Sequence, residues 1–522
     1  MSGPDVTVVV AVYNTMPYLT ECLRSLIGQT IGLERLEIVA VDDGSTDGSG
    51  AELDRWAKKH PDTVKVLHQE NSGGPAGPSN RALDVATGRY VFFVGADDYL
   101  GLEALERLVT TADELDADIV LGRLVGAGGR VVNQAIYNPG DRDDIDLVNS
   151  ALPWALSNTK LYRRSMLEEH QIRYPVELRS GSDQPFTLRA VAVARRIAVR
   201  ADYPFYYAVR RADSSNITYR TSLHNFVQDA AIVMDTAADV LTDPPARAKV
   251  LRRHFTWELG KLLGPRFLKA DREEQQRVQD GIRKFADTDL SEDIRASLDV
   301  QRRVPLSIAQ VGTLDELVAV IRHYDEHGLA PVVSSGERYY IGYPGFRDSS
   351  GFPDEWFDAT RHVRQLVHQT GPAKVYWGRT AQGKRALLVG WHSSLPNLRR
   401  DGEPAPRVMA GDRVAAYIES GNDDGGGTGV LAEFTVDDLI AGEHKKRMRK
   451  VAFIWTTLGE THSLPVTAAD LTNARRTLHR RGLRFYLVGA DLDRESRLRI
   501  VVNPVTPRRI AGRLTRRLRR KR

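Results

Sequence analysis

The sequence predicts a doubly wound α/β domain with a mostly parallel sheet over residues 1–225. A helical region follows at 226–328, then a β-sandwich-like domain at 329–507 and a basic tail at 508–522. Three observations carry this. Short β-branched runs alternate with helical periods over residues 5–100, an order that forces parallel strands joined by crossover helices. Apolar spacing then turns helical from about residue 226. After about residue 330, short strand-like runs are separated by Gly, Pro, Asn and Asp, as in all-β domains.

Val6 to Tyr13 is an apolar β-branched run, and Leu19, Leu23, Leu26 and Ile27 give a helical period. Leu36 to Val41 is a second strand, ending in Asp42-Asp43-Gly44-Ser45-Thr46-Asp47. A helix bearing Leu53 and Trp56 leads to the strand Val64 to Leu67. The glycine- and proline-rich loop Asn71 to Pro78 precedes a helix expected over Ser79 to Ala86. Tyr90 to Val94 reads as a strand buried on both faces, and Ile119 to Leu121 as a further strand. In the helical region Val227, Ala230, Ile232, Val233 and Met234 open one segment and Phe255, Leu259 and Leu263 mark another; residues 308–327 read as one more helix with its loop. Strands are expected at Arg338 to Tyr343, Ala386 to Trp391, Val414 to Ile418, Val430 to Phe434, Val451 to Trp455, Leu483 to Val488 and Leu498 to Val502, with Asn422 to Gly429 an exposed loop.

Hydrophobic content of 42% and charged content of 27% suit a soluble globular protein. A single cysteine, Cys22, excludes an internal disulfide and suits a reducing compartment. The opening residues carry no basic n-region, and no stretch reaches the roughly 18 apolar residues that span a bilayer; the expectation is a cytoplasmic protein. The net charge is +5, but residues 508–522 hold nine Arg or Lys and no acid, leaving the remainder at −4. Ile510, Leu514 and Leu518 form a stripe at i, i+4, i+8 among those arginines. That pattern suits an interfacial helix on an anionic membrane surface; a disordered solubilising tail or a nucleic-acid patch are the alternatives.

Four strand ends carry polar residues and would meet on one edge of the sheet, where ligands gather in open α/β folds. At the first, Ala11-Val12-Tyr13-Asn14, an aromatic could face a flat base. At the second, Asp42 could accept a hydrogen bond from a pyrimidine imide, while Asp47 reads as a helix cap. The third, Asn71 to Arg81, combines glycines that admit close backbone approach with donors at Asn71 and Arg81; a tight turn is the plainer reading. The fourth, Gly95-Ala96-Asp97-Asp98, could hold a divalent cation against a diphosphate, or cap the amphipathic run at Leu102, Leu105, Leu108 and Val109.

Val9 to Asn14, the run VDDGSTD and the acidic strand end resemble inverting nucleotide-sugar glycosyltransferases of family 2 with the Rossmann-like GT-A fold; the first strand lacks the G-x-G-x-x-G loop of a dinucleotide site. NSGGPAGPSNRAL (71–83), LSNTKLYRRSML (156–167), YPVELRSGSDQPFTLRA (174–190) and YYAVRR (206–211) are similar to the wall teichoic acid β-N-acetylglucosaminyltransferases. The resemblance covers roughly residues 5–260 and implies a UDP-sugar donor, UDP-GlcNAc, and a polyol-phosphate polymer acceptor at the inner membrane face. It places Ala11, Tyr13, Asp42, Asn71 and Arg81 around uridine, with Ala96 and Asp98 at the donor. Asp97 becomes the ligand of Mn²⁺ or Mg²⁺, and Asp183 the general base for a single displacement that inverts the anomeric centre. Read alone, Asp183 could equally cap a helix before Pro185 and Phe186.

Arg210 and Arg211, after the aromatic strand Phe205 to Tyr207 and before Ser214 and Ser215, have planar guanidinium groups that suit a diphosphate, against a solvated basic surface. Arg253 and His254, in RRHF, resemble a family feature and could touch donor or acceptor, or pack among helices. Two departures stand out. Gly95 makes the usual D-x-D a G-x-D, and Ser182-Asp183 replaces a pair of acids; both leave open a catalytically weak, polymer-binding protein. The β-rich end suits binding or assembly, and the resemblance makes a homo-oligomer, a trimer, an expectation. Tyr339, Tyr340, Tyr343, Tyr376, Trp377 and Trp391 could stack on sugars, with core packing the plainer role.

Overall fold

A computed structural model describes residues 3–505 except 179–180, 212–221, 363–371, 394, 396–397, 399–402, 422–427 and 458. Ser214, Ser215, the basic tail and most of the acidic-glycine loop lie outside the described residues. The chain forms two compact units: residues 1–298 with 305–321, and residues 299–304 with 322–522.

The first unit is built on an eight-stranded sheet of order β3-β2-β1-β4-β7-β6-β8-β5. The strands are β1 (Val6–Val12), β2 (Leu36–Asp42), β3 (Val64–His68), β4 (Tyr90–Gly95), β5 (Tyr99–Leu100), β6 (Ile119–Ala127), β7 (Leu161–Arg163) and β8 (Ile197–Val209). β1 pairs in parallel with both β2 and β4, and β2 with β3; β7 runs antiparallel between β4 and β6. The central strands are buried on both faces, as a parallel sheet with helices on each side requires. Val6, Val8, Val10, Val12, Phe92 and Val94 pack into one core, and Val9, Val39, Val41, Val91 and Phe93 into the other. Gly88 lets the chain pass so close to β1 that a Cβ there would lie 2.5 Å from the Thr7 amide.

Helices α1 (Leu19–Ile27), α2 (Ser49–Lys59), α3 (Ala76–Leu83), α4 (Ala104–Leu115), α5 (Arg164–Glu169) and α6 (Asp183–Val193) complete this half. α3 starts three residues before the expected Ser79, with Pro75 at its N-cap, where a fixed φ suits helix entry. α4 has Glu103 at its N-cap, so Asp97 and Asp98 do not cap it; β5 intervenes. The carboxylates thus end a strand and start no helix. The expected single helix at 308–327 is two, Val300–Val311 and Leu314–His327. The break at Gly312-Thr313 is a capping box: Thr313 Oγ1 accepts from the Glu316 amide at 3.3 Å, and Glu316 Oε2 accepts from the Thr313 amide at 2.7 Å.

Leu223–Val240 and Pro244–His254 are helices of the same unit as the sheet. The next turn, Phe255–Leu259, is π-helical. No helix among the described residues is long and apolar enough to cross a membrane.

The second unit is built of antiparallel sheets. One has four strands: Lys374–Arg379, Arg385–Ser393, Thr428–Thr435 and Ala416–Gly421. A second has seven, centred on Arg447–Thr457 and Leu498–Val505, and a third is the pair Val332–Ser335 and Arg338–Ile341. Tyr339, Tyr340 and Tyr343 are buried there, and Trp391 meets Phe453 edge-on. Trp377 donates to the Arg475 carbonyl beneath the Arg385 guanidinium; Tyr376 is exposed.

Candidate active site

Parallel register brings four strand ends level. Ala11 pairs with Val41 and Gly95, Val12 with Asp42, and Asp42 with His68. The edge so formed carries Asp42, buried, whose Oδ1 accepts from the Ser45 amide at 3.0 Å and whose Oδ2 meets His68 Nδ1 at 3.0 Å. Burial alone would raise the Asp42 carboxyl, but Ser45 and His68 more than offset it and hold it below the usual range. Asp42 and Asp54, on opposite sides of the His68 ring, raise that imidazole. A carboxylate has about four acceptor positions, so Asp42 keeps capacity for an imide N–H. His68 carries no motif in sequence; only the β2–β3 register reveals it.

The loops around this edge are tied from within. Asp43 is buried and accepts from the Ser72 amide and hydroxyl and from Gln69. Asn71 donates to the Asp43 carbonyl at 3.1 Å and accepts from Gly73. Asp47 accepts from Ser49 at the start of α2 and from the Met16 amide. Arg81 Nη1 donates to the His68 carbonyl at 2.7 Å, and Tyr13 is exposed beside Asn14, whose φ is +50°. Tyr13 is thus an exposed aromatic one residue past the end of β1, where Val12 pairs with Asp42, a placement that suits a flat base.

The end of β4 distributes its two carboxylates differently. Asp98 is buried and spends both oxygens inside the protein: Oδ2 accepts from the Tyr206 hydroxyl at 2.5 Å and Oδ1 from the Val209 amide at 2.7 Å. Burial and then Asp97 push its carboxyl up to about 6. The Tyr206 hydroxyl also accepts from the Gly95 amide at 3.0 Å. Asp98, expected at the donor, therefore links β4 to β8 through its side chain. Ala96, expected there too, has its side chain buried in the core. Asp97 keeps a partly open carboxylate, and Arg211 Nε donates to its Oδ2 at 2.6 Å. Arg210 is exposed just past β8.

Among the described residues no cluster of three or more His, Cys, Asp or Glu could hold a metal. The arrangement nevertheless fits a divalent ion carried on a diphosphate, which needs only one or two protein carboxylates beside phosphate oxygens and water. The Arg211 guanidinium already against Asp97 marks that locus as one that takes a cation.

Asp183 is the first residue of α6, not its cap; Ser182 is the N-cap and makes no side-chain cap bond. One turn on, Phe186 packs edge-on against Phe93 of β4 at 5.3 Å and stacks on Tyr174 at 4.1 Å, tying the head of α6 to the strand that ends in Asp97. Burial raises the Asp183 carboxyl, opposed by Lys160 and Arg253 and assisted by Glu258. Lys160 is buried, with Nζ donating to the Ala155 carbonyl at 2.6 Å and to that of Ser157; burial pulls its ammonium down to about 7. Arg253 is turned toward this helix head, donating to Gln184 Oε1 at 2.6 Å and meeting Glu258 Oε1 at 2.7 Å. His254, which burial keeps below its ordinary value, faces Glu258 with Nδ1, and its Nε2 has no hydrogen-bond partner. Arg253 and His254 were expected to touch donor or acceptor or to pack among helices; Arg253 stands at the head of α6 beside Asp183, and His254 is buried against Glu258. Lys160 and Glu258 escaped sequence reading because only the fold brings them to Asp183.

A mostly parallel sheet with acids at the carboxyl ends of its strands, and a half-buried carboxylate heading the helix beside them, is the arrangement of a GT-A fold. Comparison with known proteins agrees. A glycosyl transferase family 2 model matches residues 7–171, and a glycosyl transferase TarS linker domain matches residues 224–321. The putative glycosyltransferase EpsH of Bacillus subtilis is 32% identical over 247 residues, covering 46% of this chain and 70% of EpsH. The chain belongs to glycosyl transferase family 2.

More particular likenesses follow. The poly(ribitol-phosphate) beta-glucosyltransferase of Bacillus spizizenii is 41% identical over 206 residues, 40% of this chain and 32% of that protein. The chain spans less than half the length of this relative and of Staphylococcus aureus TarS, a poly(ribitol-phosphate) beta-N-acetylglucosaminyltransferase. The crystal structure of S. aureus TarS aligns over 96% of this chain and 86% of its own with a TM-score of 0.64; at 23% identity it shows a shared fold. A TarS fragment of residues 1–349 in complex with UDP-GlcNAc aligns at 29% identity and TM-score 0.57, over 67% of this chain and 98% of the fragment.

Proposed function

We propose that this protein transfers a hexose from a UDP-sugar to a hydroxyl of a polyol-phosphate polymer of the teichoic acid kind, with inversion at the anomeric carbon. The observation that carries this reading is Asp183: a half-buried carboxylate of raised proton affinity, heading α6 and packed through Phe186 onto the strand that ends in Asp97. A carboxyl raised toward neutral pH is a better general base than an ordinary one. Asp42 and Tyr13 hold the uracil, and Arg81 and Asn71 fix the loop beside it. Arg211, and Arg210 next to it, are suited to the diphosphate once a cation takes Asp97. Mn²⁺ or Mg²⁺ held there by Asp97 would neutralise charge on the departing UDP. Asp183 then takes the acceptor proton as that oxygen attacks opposite the leaving group.

TarS has been crystallised with UDP-GlcNAc, while the Bacillus spizizenii relative is named a glucosyltransferase; the donor proposed is UDP-GlcNAc, with UDP-glucose its closest rival. The test is UDP release and NMR of the linkage formed from both donors on poly(ribitol phosphate). Divalent-dependent turnover lost in Asp97→Ala and Asp183→Asn supports the reading. Full turnover in Asp183→Asn removes the base assignment. Residues 508–522 are proposed to hold the enzyme at an anionic membrane surface; their deletion should abolish co-flotation with phosphatidylglycerol liposomes. A trimer formed through the β-rich unit is proposed alongside, to be read by light scattering.

A second reading has its own support: Gly95 and Ser182 stand where two acids are usual, and Asp98 is consumed by Tyr206 and Val209. A polymer-binding protein without turnover would bind UDP-sugars and Mn²⁺ in calorimetry yet release no UDP with any acceptor.

A further inference from the structure

We propose that Glu258 is the positioning residue of the base: through Gln184 and Arg253 it fixes the first turn of α6 and so aims Asp183. This inference rests on Asp183 being the base. Its ground is the π-helical turn Phe255–Leu259. An α-helix aligns residues four apart, whereas a π turn also aligns those five apart. Glu258 therefore meets both His254, four back, at 3.3 Å through Oε2, and Arg253, five back, at 2.7 Å through Oε1.

The same Oε1 accepts from Gln184 Nε2 at 3.2 Å, and Gln184 Oε1 accepts from Arg253 Nη1 at 2.6 Å. Gln184 is thus gripped as donor and acceptor by one ion pair, and it is peptide-bonded to Asp183. All of these groups are largely buried, where a half-broken network is costly. A catalytic carboxylate must hold its geometry within a fraction of an ångström, and this clamp is a polar contact by which the helical region reaches the residue next to the base.

Glu258 also sets the field at Asp183. The titratable groups around Asp183 are Lys160 before β7, Tyr162 on β7, Tyr174 on the loop before α6, and Arg253 with Glu258 from the helical region. His254 and Lys261 act on Glu258 in turn. Burial would raise the Glu258 carboxyl, but Arg253, His254 and Lys261 more than offset that and keep it ionised. An ionised Glu258 cancels much of Arg253, so Asp183 keeps its proton affinity.

The test uses the full chain with UDP-GlcNAc, Mn²⁺ and poly(ribitol phosphate), with thermal unfolding of each variant alongside. Glu258→Gln should lower kcat about tenfold at unchanged donor KM and move the acidic limb of the kcat–pH profile down by about half a pH unit or more. Gln184→Ala, which breaks the clamp but leaves every charge, should lower kcat by a similar factor with the limb in place. Glu258→Gln with kcat within twofold, or a loss that only tracks the unfolded fraction, overturns the proposal. If Glu258→Gln does not fold, Gln184→Ala within twofold of the parent overturns it. Asp183→Asn separates the two readings: activity in Asp183→Asn removes the base, whereas an inactive Asp183→Asn beside a parent-like Glu258→Gln removes only the positioning role.

Discussion

Replacing Gly95 by Asp turns the strand end into the D-x-D that the family resemblance leads one to expect, and the structure predicts that the change is harmful. A Cβ at position 95 would lie 2.8 Å from Asp98 Oδ2, 3.2 Å from Asp97 Oδ1 and 3.3 Å from the Tyr206 hydroxyl. The first is shorter than real Cβ contacts, and Asp98 cannot step aside without losing Tyr206 and Val209. Gly95→Ala isolates that steric cost, about 1–3 kcal/mol by analogy with overpacked cores. Gly95→Asp adds a third carboxylate beside two others, a like-charge cost of about 1–3 kcal/mol more, the size of one or two pK units. Urea unfolding of the two variants and the parent in EDTA would measure both parts, and repeating it with Mn²⁺ should shrink the gap between them as a cation joins the acids. Gly95→Asp as stable as Gly95→Ala in EDTA, or a gap that Mn²⁺ leaves unchanged, would refute the reasoning.

Three further outcomes are expected. Tyr206→Phe strands the Gly95 amide and one Asp98 oxygen in a buried place, and should cost about 2–4 kcal/mol in urea unfolding; a loss under about 0.5 kcal/mol would mean that water replaces the hydroxyl without penalty. Lys160→Met removes a cation that favours ionised Asp183, so the acidic limb of kcat should move to higher pH, opposite to Glu258→Gln; a downward shift contradicts the field described. Thr313→Ala breaks the capping box and should cost about 1 kcal/mol of thermal stability.

The sheet was legible because each of its early strands is a continuous β-branched run that ends in polar residues, and because a parallel sheet buried on both faces leaves that pattern no other meaning. Asp97 and Asp183 were visible as acids at motif positions. What escaped was everything set by tertiary register. Asp97 and Asp98 are adjacent in sequence and look alike, yet the return of β8 gives Asp98 a tyrosine and an amide and gives Asp97 an arginine. Glu258 lies 75 residues from Asp183, and its approach depends on a wide helical turn that no propensity reveals. The split at Gly312 was readable, since Thr313 and Glu316 have capping-box spacing, but the apolar period across it masked the signal.

The three residues of β7 bear on how the molecule opens. By backbone pairing, Leu161, Tyr162 and Arg163 join the strands that carry Asp42 and Asp97 to those that lead to Arg211, pairing with Phe92, Val91 and Tyr90 on one side and with Ile119 and Val120 on the other. So short a ladder would be a seam of low local stability, except that buried Asp118 bolts it, accepting from Arg163 at 2.8 Å and from Arg195 at 3.0 Å. The two half-sheets thus meet through one short strand bolted by Asp118, with the Asp98 side chain linking β4 to β8 beyond it. Amide hydrogen exchange at β7 should report that coupling, slow in the parent and quickened in Asp118→Asn well before the rest of the sheet.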